Sequence, residues 1–201
     1  GDQSLLAAMQ PSFRVLFDEQ ALCFGVEVPL PNTRQVVEDL KSQPLLDPGG
    51  RPRPKTDTFS GRHSVELFLQ APGQSGYRQM VVSLDGYRYD SSGMDANWNG
   101  GWQSAVSVAE DRWFLELRVP VQDLGIQRVA LAEGWRLNLC CNQPGGTSTW
   151  AAVGGAFHNP DAFGELVAQD FAAWQAAQPK QWQRKKATIL QAVGARAAQY
   201  A

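Results

Sequence analysis

The sequence predicts an all-β protein, an antiparallel β-sandwich of the jelly-roll or immunoglobulin-like type followed by a C-terminal helix. Short runs in which apolar and polar residues alternate recur along the chain, and turn-forming residues separate them, as in sandwiches. Long helical segments between the runs, which a parallel sheet requires, are missing from the pattern. A chain of 201 residues fits one β domain with an appendage.

The clearest strand is the segment DRWFLELRVP, from Asp111 to Pro120. Successive side chains of a strand point to opposite faces, so the tryptophan, the two leucines and the valine of this segment share one face. Pro120 cannot donate a hydrogen bond to a neighbouring strand and ends the run. The run AVSVA (Ala105–Ala109) comes just before it, and the two predict an antiparallel hairpin.

Further alternating runs raise the total to about nine strands. A first hairpin is predicted from Phe13–Phe17 and Ala21–Val28. The other predicted strands are Ser64–Gln70, Tyr77–Gly86, Trp135–Asn142, Thr147–Val153 and Phe163–Ala168. Trp113 and Trp135 lie in regular strand patterns, so we expect both in the core.

Two segments break the strand pattern. Residues 29–62 hold six prolines and form a long loop with room for one short helix, Val36–Lys41. A loop of this length is either a functional lid or rim over a binding surface, or an inert insertion. From Asp170 onward apolar residues recur at helical spacing after Pro179, which can begin a helix. The predicted organisation is therefore a sandwich over residues 1–168 and a helical extension over residues 169–201.

Composition excludes several classes of protein. The net charge of −2 argues against a nucleic-acid-binding protein, which carries a basic surface to neutralise phosphates. No apolar run approaches the roughly 20 residues of a membrane span, and no secretory signal is visible.

Cys140 and Cys141 would point to opposite faces of one strand, so we do not expect them to pair. Cys23 is either a small core residue or the partner of one of them in a disulfide.

The order of motifs resembles the family 9 carbohydrate-binding modules and their wider relatives, which include cytochrome-type DOMON domains. The segments that carry the resemblance are VELFL (65–69), YRQMVVSLDG (77–86), WFLELRVPVQDLG (113–125), GWRLNLCCN (134–142) and FHNPDAFGELV (157–167). Together they cover roughly residues 13 to 168. The chain resembles an atypical member, because Cys141 stands where an arginine is common in relatives.

The resemblance implies a non-catalytic, lectin-like module that binds an oligosaccharide or polysaccharide. It also implies a bacterial protein that is secreted or held at the cell surface or in the periplasm, within a larger chain whose neighbouring domain is a possible partner. Sugar binding needs a flat aromatic ring for the C–H face of a pyranose, and polar groups for its hydroxyls. The candidate ligand-binding residues are Trp98, Trp102, Trp150, Asn142, Arg78 and Glu66.

Each candidate has a reason in the sequence. Trp98 and Trp102 lie in a loop rich in glycine and asparagine, so we expect exposed rings there. Trp150, preceded by Asn142, is the candidate for a second aromatic wall. Glu66 and Arg78 lie on neighbouring strands whose alternation could place them on one face. They would then bind hydroxyls or form a cross-strand ion pair.

Metal binding has some support in the sequence. Asp85, Asp90 and Asp95 are spaced through one segment and could hold calcium, although turn formation explains them equally well. A haem would need Met80 or Met94 together with one of the two histidines, His63 or His158, as axial ligands.

The remaining alternatives are an enzyme and an interaction module. Catalysis at a glycosidic bond needs paired carboxylates across a cleft. Glu66, Glu116 and Asp111 could supply such a pair in principle, but any β protein offers such candidates and they form no recognisable motif. The sequence therefore predicts no enzyme. A protein-interaction or structural module of a larger extracellular protein remains the alternative to sugar binding.

Overall fold

The computed structural model describes residues 10–43, 62–129, 134–144, 146–151, 153 and 157–166. The predicted C-terminal helix and most of the predicted long loop lie outside these residues. The described part forms an antiparallel β-sandwich with one α-helix, which confirms the predicted fold class. The strands are β1 (Ser12–Phe17), β2 (Ala21–Pro29), β3 (Ser64–Gln70), β4 (Arg78–Ser83), β5 (Arg88–Ser92), β6 (Gln103–Val108), β7 (Arg112–Pro120), β8 (Trp135–Gln143), β9 (Gly146–Thr149) and β10 (Gly164–Leu166), and the helix is α1 (Thr33–Lys41).

The strands form two sheets in which every pairing between strands is antiparallel. The first sheet has the order β1-β2-β7-β6. The second has the order β10-β8-β3-β4-β5. β9 pairs with β8 along the edge that β8 also shares with β10. Both predicted hairpins, β1–β2 and β6–β7, are therefore confirmed.

The core lies between the two sheets and follows from the alternation of the strands. Trp113 on β7 and Trp135 on β8 point into the space between the sheets, and 0% and 1% of their surface is exposed, as predicted. Such indoles bury about 150–250 Å² each, the largest apolar contribution that a side chain can make to a core. The predicted tryptophan core is confirmed.

A second, smaller apolar cluster lies on the outer face of the second sheet. Phe68 and Cys140 point away from the main core and pack with Tyr77 and Phe163. Cys141 points the other way, into the main core, so the two adjacent cysteines occupy opposite faces as predicted. All three cysteines are free thiols. The predicted alternative of a bridge to Cys23 is wrong, because Cys23 points away from the core between its buried neighbours Leu22 and Phe24, whereas Cys141 points into the core.

The structure differs from the sequence prediction in three elements. The strand predicted from Thr147 to Val153 is shorter, because β9 ends at Thr149. The fifth strand, β5, lies within Tyr87–Trp102, where polar and glycine residues indicated only a loop. This segment becomes a strand because its backbone pairs with β4. Helix α1 begins at Thr33, three residues before its predicted start. The Thr33 hydroxyl is buried and donates to the carbonyl oxygen of Leu30, which ties the first turn of the helix to the segment before it. None of the helices in the described ranges has the length and apolarity needed to cross a membrane.

Candidate functional site

The structure distributes the six candidate residues over three separate places. Trp98, Trp102 and Arg78 lie together at the β4–β5 end of the second sheet. Glu66 and Asn142 lie on the outer face of that sheet. Trp150 follows β9 at the open edge between the sheets.

Trp102 is a core residue, and the expectation that its ring is exposed is wrong. Only 3% of its surface is accessible. Its indole N–H donates to Asp90 Oδ2 at 2.9 Å, and the Arg88 guanidinium lies 3.8 Å from the ring centroid. A buried indole whose N–H is bonded and whose face is covered has no surface left for a sugar.

Trp98 is partly exposed and lies against Arg78. The guanidinium carbon of Arg78 is 5.3 Å from the Trp98 ring centroid, in the range of a cation–π contact. Arg78 is also held by a bond from its Nε to the carbonyl oxygen of Asp123, at 2.8 Å. Gly100 keeps Trp98 close to the sheet, because a Cβ at residue 100 would lie 2.5 Å from Cη2 of that ring.

Arg78 and Glu66 lie on opposite faces of the second sheet, so the prediction that they share one face is wrong. Glu66 on β3 is directly opposite Val81 on β4, whereas Arg78 is opposite Leu69. Residues that face each other across two strands point to the same side, and Leu69 points into the core. The register of the β3–β4 pair, which the sequence does not display, decides this outcome.

Glu66 and Asn142 belong to a row of hydrogen-bonded side chains on the outer face. The Glu66 carboxylate accepts from the Asn142 amide at 2.6 Å and from the Gln79 amide at 3.0 Å. Ser91 extends the row by donating to Gln79 Oε1 at 3.0 Å. At the other end Thr147 on β9 donates to Asn142 Oδ1 at 2.7 Å. The row therefore crosses four neighbouring strands and β9, and its members satisfy one another.

Trp150 borders a cleft of about 410 Å³ between the β1 edge of one sheet and β9 of the other. It is 48% exposed, the largest exposed fraction of any tryptophan that the described ranges contain. Its ring meets that of Phe13 edge-on, with centroids 5.5 Å apart, and it covers Gly164, which has no side chain to obstruct it. The cleft is lined by Gln10, Pro11, Ser12, Phe13, Leu139, Cys141, Ser148, Thr149 and Trp150.

This cleft combines an aromatic face with polar groups. Apolar surface comes from Phe13, Leu139 and Trp150. The hydroxyl groups of Ser12 and Ser148 can donate a hydrogen bond to a ligand hydroxyl or accept one from it. Its volume lies within the roughly 300–1,000 Å³ of small-molecule sites. Burial raises the pKa of the Cys141 thiol to about 11, so this lining group is neutral at physiological pH.

Sequence reasoning missed the partners of Trp150. The signal was available in β9, because residues 148 and 150 share one face of an extended segment and put a hydroxyl beside the indole. The contribution of Phe13 had no such signal. It comes from the other sheet, more than 130 positions away in the chain, and only the packing of the two sheets brings it to Trp150.

The three aspartates considered for calcium serve different purposes. Asp85 forms a buried ion pair with Arg62, and Asp90 accepts from the Gly100 N–H at 2.7 Å and from Trp102. Asp95 caps its own turn by accepting from the backbone N–H of Asn97 at 3.0 Å. Across the described ranges, no three or more histidine, cysteine, aspartate or glutamate side chains are grouped to hold a metal ion. Calcium binding stays a prediction.

The residues considered for haem are also accounted for. Met80 is fully buried in the core, and burial lowers the pKa of His63. The Tyr77 hydroxyl lies 2.6 Å from His158 Nδ1 and 3.9 Å from Met94 Sδ. Tyr77 therefore contacts one histidine and one methionine of the four residues considered, and haem binding stays a prediction.

The three carboxylates considered for catalysis do not form a pair. Glu66 points outward from the second sheet, whereas Glu116 is exposed on the outer face of the first sheet. Asp111 lies at the β6–β7 turn and bonds to Arg112 at 2.8 Å. Two carboxylates on opposite sides of a sandwich cannot flank one glycosidic bond.

Three solved structures share this fold. A family 9 carbohydrate-binding module from Caldicellulosiruptor kristjanssonii in complex with glucose superposes with a TM-score of 0.55 at 16% identity, over 83% of this chain and 80% of that one. The cellotriose complex gives a TM-score of 0.55 at 18% identity, over 88% and 83%. A candidate carbohydrate-binding protein from Bacteroides uniformis gives 0.54 at 16%, over 79% and 78%.

The fold is that of the family 9 carbohydrate-binding modules. No family model and no curated protein matches the chain at the level of sequence. At 16–18% identity the likeness establishes the fold, and the ligand has to be argued from the residues of this chain.

Proposed function

We propose that this protein is a non-catalytic carbohydrate-binding module and that the saccharide binds in the cleft beside Trp150. The observation that carries the proposal is the half-exposed indole of Trp150 inside a cleft with hydroxyl-bearing walls. A pyranose offers an apolar C–H face and a rim of hydroxyls, and this cleft offers the complement of both. The fold shared with modules solved in complex with glucose and cellotriose supports the same ligand class.

In this proposal Asn142 and Glu66 position the cleft rather than contact the sugar within it. Asn142 accepts from Thr147 and donates to Glu66, which fastens β9 onto the second sheet. Because β9 carries Ser148 and leads directly into Trp150, the outer-face row fixes one wall of the cleft. Arg78 and Trp98 lie at the end of the β4–β5 pair and are separate from this site.

In this proposal the protein binds its ligand without catalysis, which agrees with the position of Glu66, Glu116 and Asp111 on different parts of the surface. The module would serve a larger chain by holding it on a polysaccharide. Such a substrate places the protein outside the cytoplasm, secreted or at the cell surface. Affinity for a single site is expected to be on the order of micromolar to millimolar.

The test is a titration of the intact protein with a panel of mono- and oligosaccharides, glucose and cellotriose among them, followed by tryptophan fluorescence and calorimetry. A saturable response to one sugar class, absent with the others, supports the proposal. Repeating the titration with a chelator and then with calcium tests the calcium prediction. A folded protein that gives no response across the panel would contradict sugar binding and favour the interaction-module alternative.

The site is tested with variants. Glu66→Gln keeps the size of the side chain and removes its charge. If Glu66→Gln abolishes binding while truncation of Trp150 does not, the sugar sits on the outer face and the cleft is the wrong place.

A further inference from the structure

The outer edge of β1 is an unpaired strand edge with exposed apolar side chains. β1 is the first strand of its sheet, and among the residues that the structure describes no strand pairs with its outer side. Leu16 is 73% exposed and Phe17 is 40% exposed. Proteins protect such edges with charges, prolines or bulges, because free N–H and C=O groups recruit another strand. From Phe13 to Phe17 the pairing with β2 is regular, and Arg14 is the one charge.

The segment Arg14–Asp18 is complementary to itself when two copies run antiparallel. If the two-fold axis passes through Leu16, then Leu16 faces Leu16 of the second copy and Val15 faces Phe17. Arg14 then faces Asp18, and by symmetry this pair occurs twice. Opposite charges and apolar pairs directly across two strands are both stabilising.

Other registers match less well. An axis through Val15 sets Arg14 against Leu16, and an axis through Arg14 sets two arginines against each other, which is destabilising. A register displaced by one residue would place Val15, which faces inward, directly opposite Leu16, which faces outward. Directly opposed side chains must point to the same face of a sheet, so such registers are excluded. Among these registers, only the one centred on Leu16 pairs the two charges of Arg14–Asp18 with each other and its three apolar side chains with one another.

The neighbours of these residues leave them available for such pairing. Asp18 is exposed; its Oδ1 accepts from the backbone N–H groups of Gln20 and Ala21, at 2.7 and 2.9 Å. Its Oδ2 accepts no hydrogen bond within the described ranges, and Arg14 is exposed. On the outer face Cys23 lies directly across from Leu16 on β2, so pairing would extend an apolar row across both copies.

We infer that this protein forms a two-fold symmetric dimer in which the β1 edges of two copies pair and join their four-stranded sheets into one eight-stranded sheet. Such an interface is isologous, since each copy contributes the same segment. Five residue pairs bury less than the roughly 1,200 Å² of a standard interface. The dimer is therefore reversible and forms as the protein concentration rises. The segment that pairs, Arg14–Asp18, lies next to the residues of β1 that line the Trp150 cleft, Ser12 and Phe13.

The first test is sedimentation velocity of the intact protein over a wide concentration range, without saccharide. We expect a monomer–dimer equilibrium for the wild type. Leu16→Lys should lower the association constant by about tenfold or more, since it sets two ammonium groups opposite each other at the axis. Val108→Lys is the matched control, because Val108 is an exposed aliphatic residue (39%) at the end of β6, the other edge of the same sheet. It should dimerise like the wild type.

The second test reports the register. In a Cys23→Ser background, Leu16→Cys places two thiols directly opposite each other at the axis, within the Cα separation that a disulfide requires. Mild oxidation should then give a covalent dimer on a non-reducing gel. Ser12→Cys is on the same strand and face but far from the axis, and it should stay monomeric under the same oxidation.

A wild type that is monomeric at every concentration would overturn the inference. Equal loss of the dimer in Leu16→Lys and Val108→Lys would move the interface elsewhere, and equal cross-linking of the two cysteine variants would rule out the register. Thermal unfolding of each variant shows that a monomeric state reflects lost pairing and not an unfolded chain. None of these readouts depends on sugar binding, so this inference and the proposed function stand or fall separately.

Discussion

Truncation of Trp150 tests the proposed site quantitatively. About half of this side chain is exposed, and an indole that buries fully covers about 150–250 Å². A sugar stacked on it would thus remove on the order of 60–100 Å² of apolar surface from water on the protein side. At about 25 cal/mol per Å² this amounts to roughly 1.5–2.5 kcal/mol. We expect Trp150→Ala to weaken sugar binding by about 10- to 70-fold.

The assay is isothermal titration calorimetry with the best ligand of the sugar panel. Trp98→Ala is the matched control, because Trp98 is also a partly exposed tryptophan but lies at the end of the β4–β5 pair. Its affinity should equal that of the wild type within about twofold. Urea unfolding of both variants separates lost contacts from lost folding, since Trp150 also packs on Phe13.

A second perturbation moves the ring without removing it. In Gly164→Ala the new Cβ would lie 2.6 Å from Trp150 Cη2, so the indole must shift. We expect reduced sugar affinity with an intact tryptophan spectrum. Unchanged affinity in both Trp150→Ala and Gly164→Ala, with Trp98→Ala abolishing binding, would refute the reasoning and place the sugar at the β4–β5 end.

Three further predictions follow from the contacts. Gly100→Ala should lower the free energy of unfolding by about 1–3 kcal/mol in urea, because its Cβ would lie 2.7 Å from Cδ1 of the buried Trp102; Gly146→Ala, where a Cβ meets nothing, should change it far less. Asn142→Ala should lower sugar affinity through the loosened β9 and increase hydrogen exchange of the β9 amides, whereas exchange in β4 should stay as it is. Burial raises the pKa of Cys141 to about 11 and also raises that of Cys140, so iodoacetamide at about pH 8 should alkylate the partly exposed Cys23 first, as mass spectrometry would show. The pKa of Cys141 in the folded protein lies above the ordinary value of 9.0, so the folded state holds its proton more tightly than the unfolded chain does. The resulting stabilisation is fully present below pH 9 and is lost as the pH rises toward 11. A free energy of unfolding that increases over this range would contradict this prediction.

Local pattern alone determined much of the fold. The alternation of residues 112–120 predicted β7, its buried face and the position of Trp113, because period-two burial is a property of one strand and needs no partner. The same rule separated Cys140 from Cys141. β5 escaped it, since five mostly polar residues become a strand only by pairing with β4.

The candidate site was decided by contacts between distant parts of the chain. Trp98 and Trp102 have similar neighbours in the sequence, namely glycine and asparagine. In the structure, however, Asp90 and Arg88 hold Trp102 in the core. The register of β3 and β4 placed Glu66 and Arg78 on opposite faces.

The sequence by itself determined the class of fold and the strands with clear alternation. Only the tertiary structure decided which tryptophan meets solvent inside a cleft. Burial of a side chain depends on which elements pack over it, and Phe13 and Trp150 meet only because two sheets stack. Side-chain alternation is a local property that can be read along one strand, whereas register and sheet stacking are relations between strands that no single strand contains.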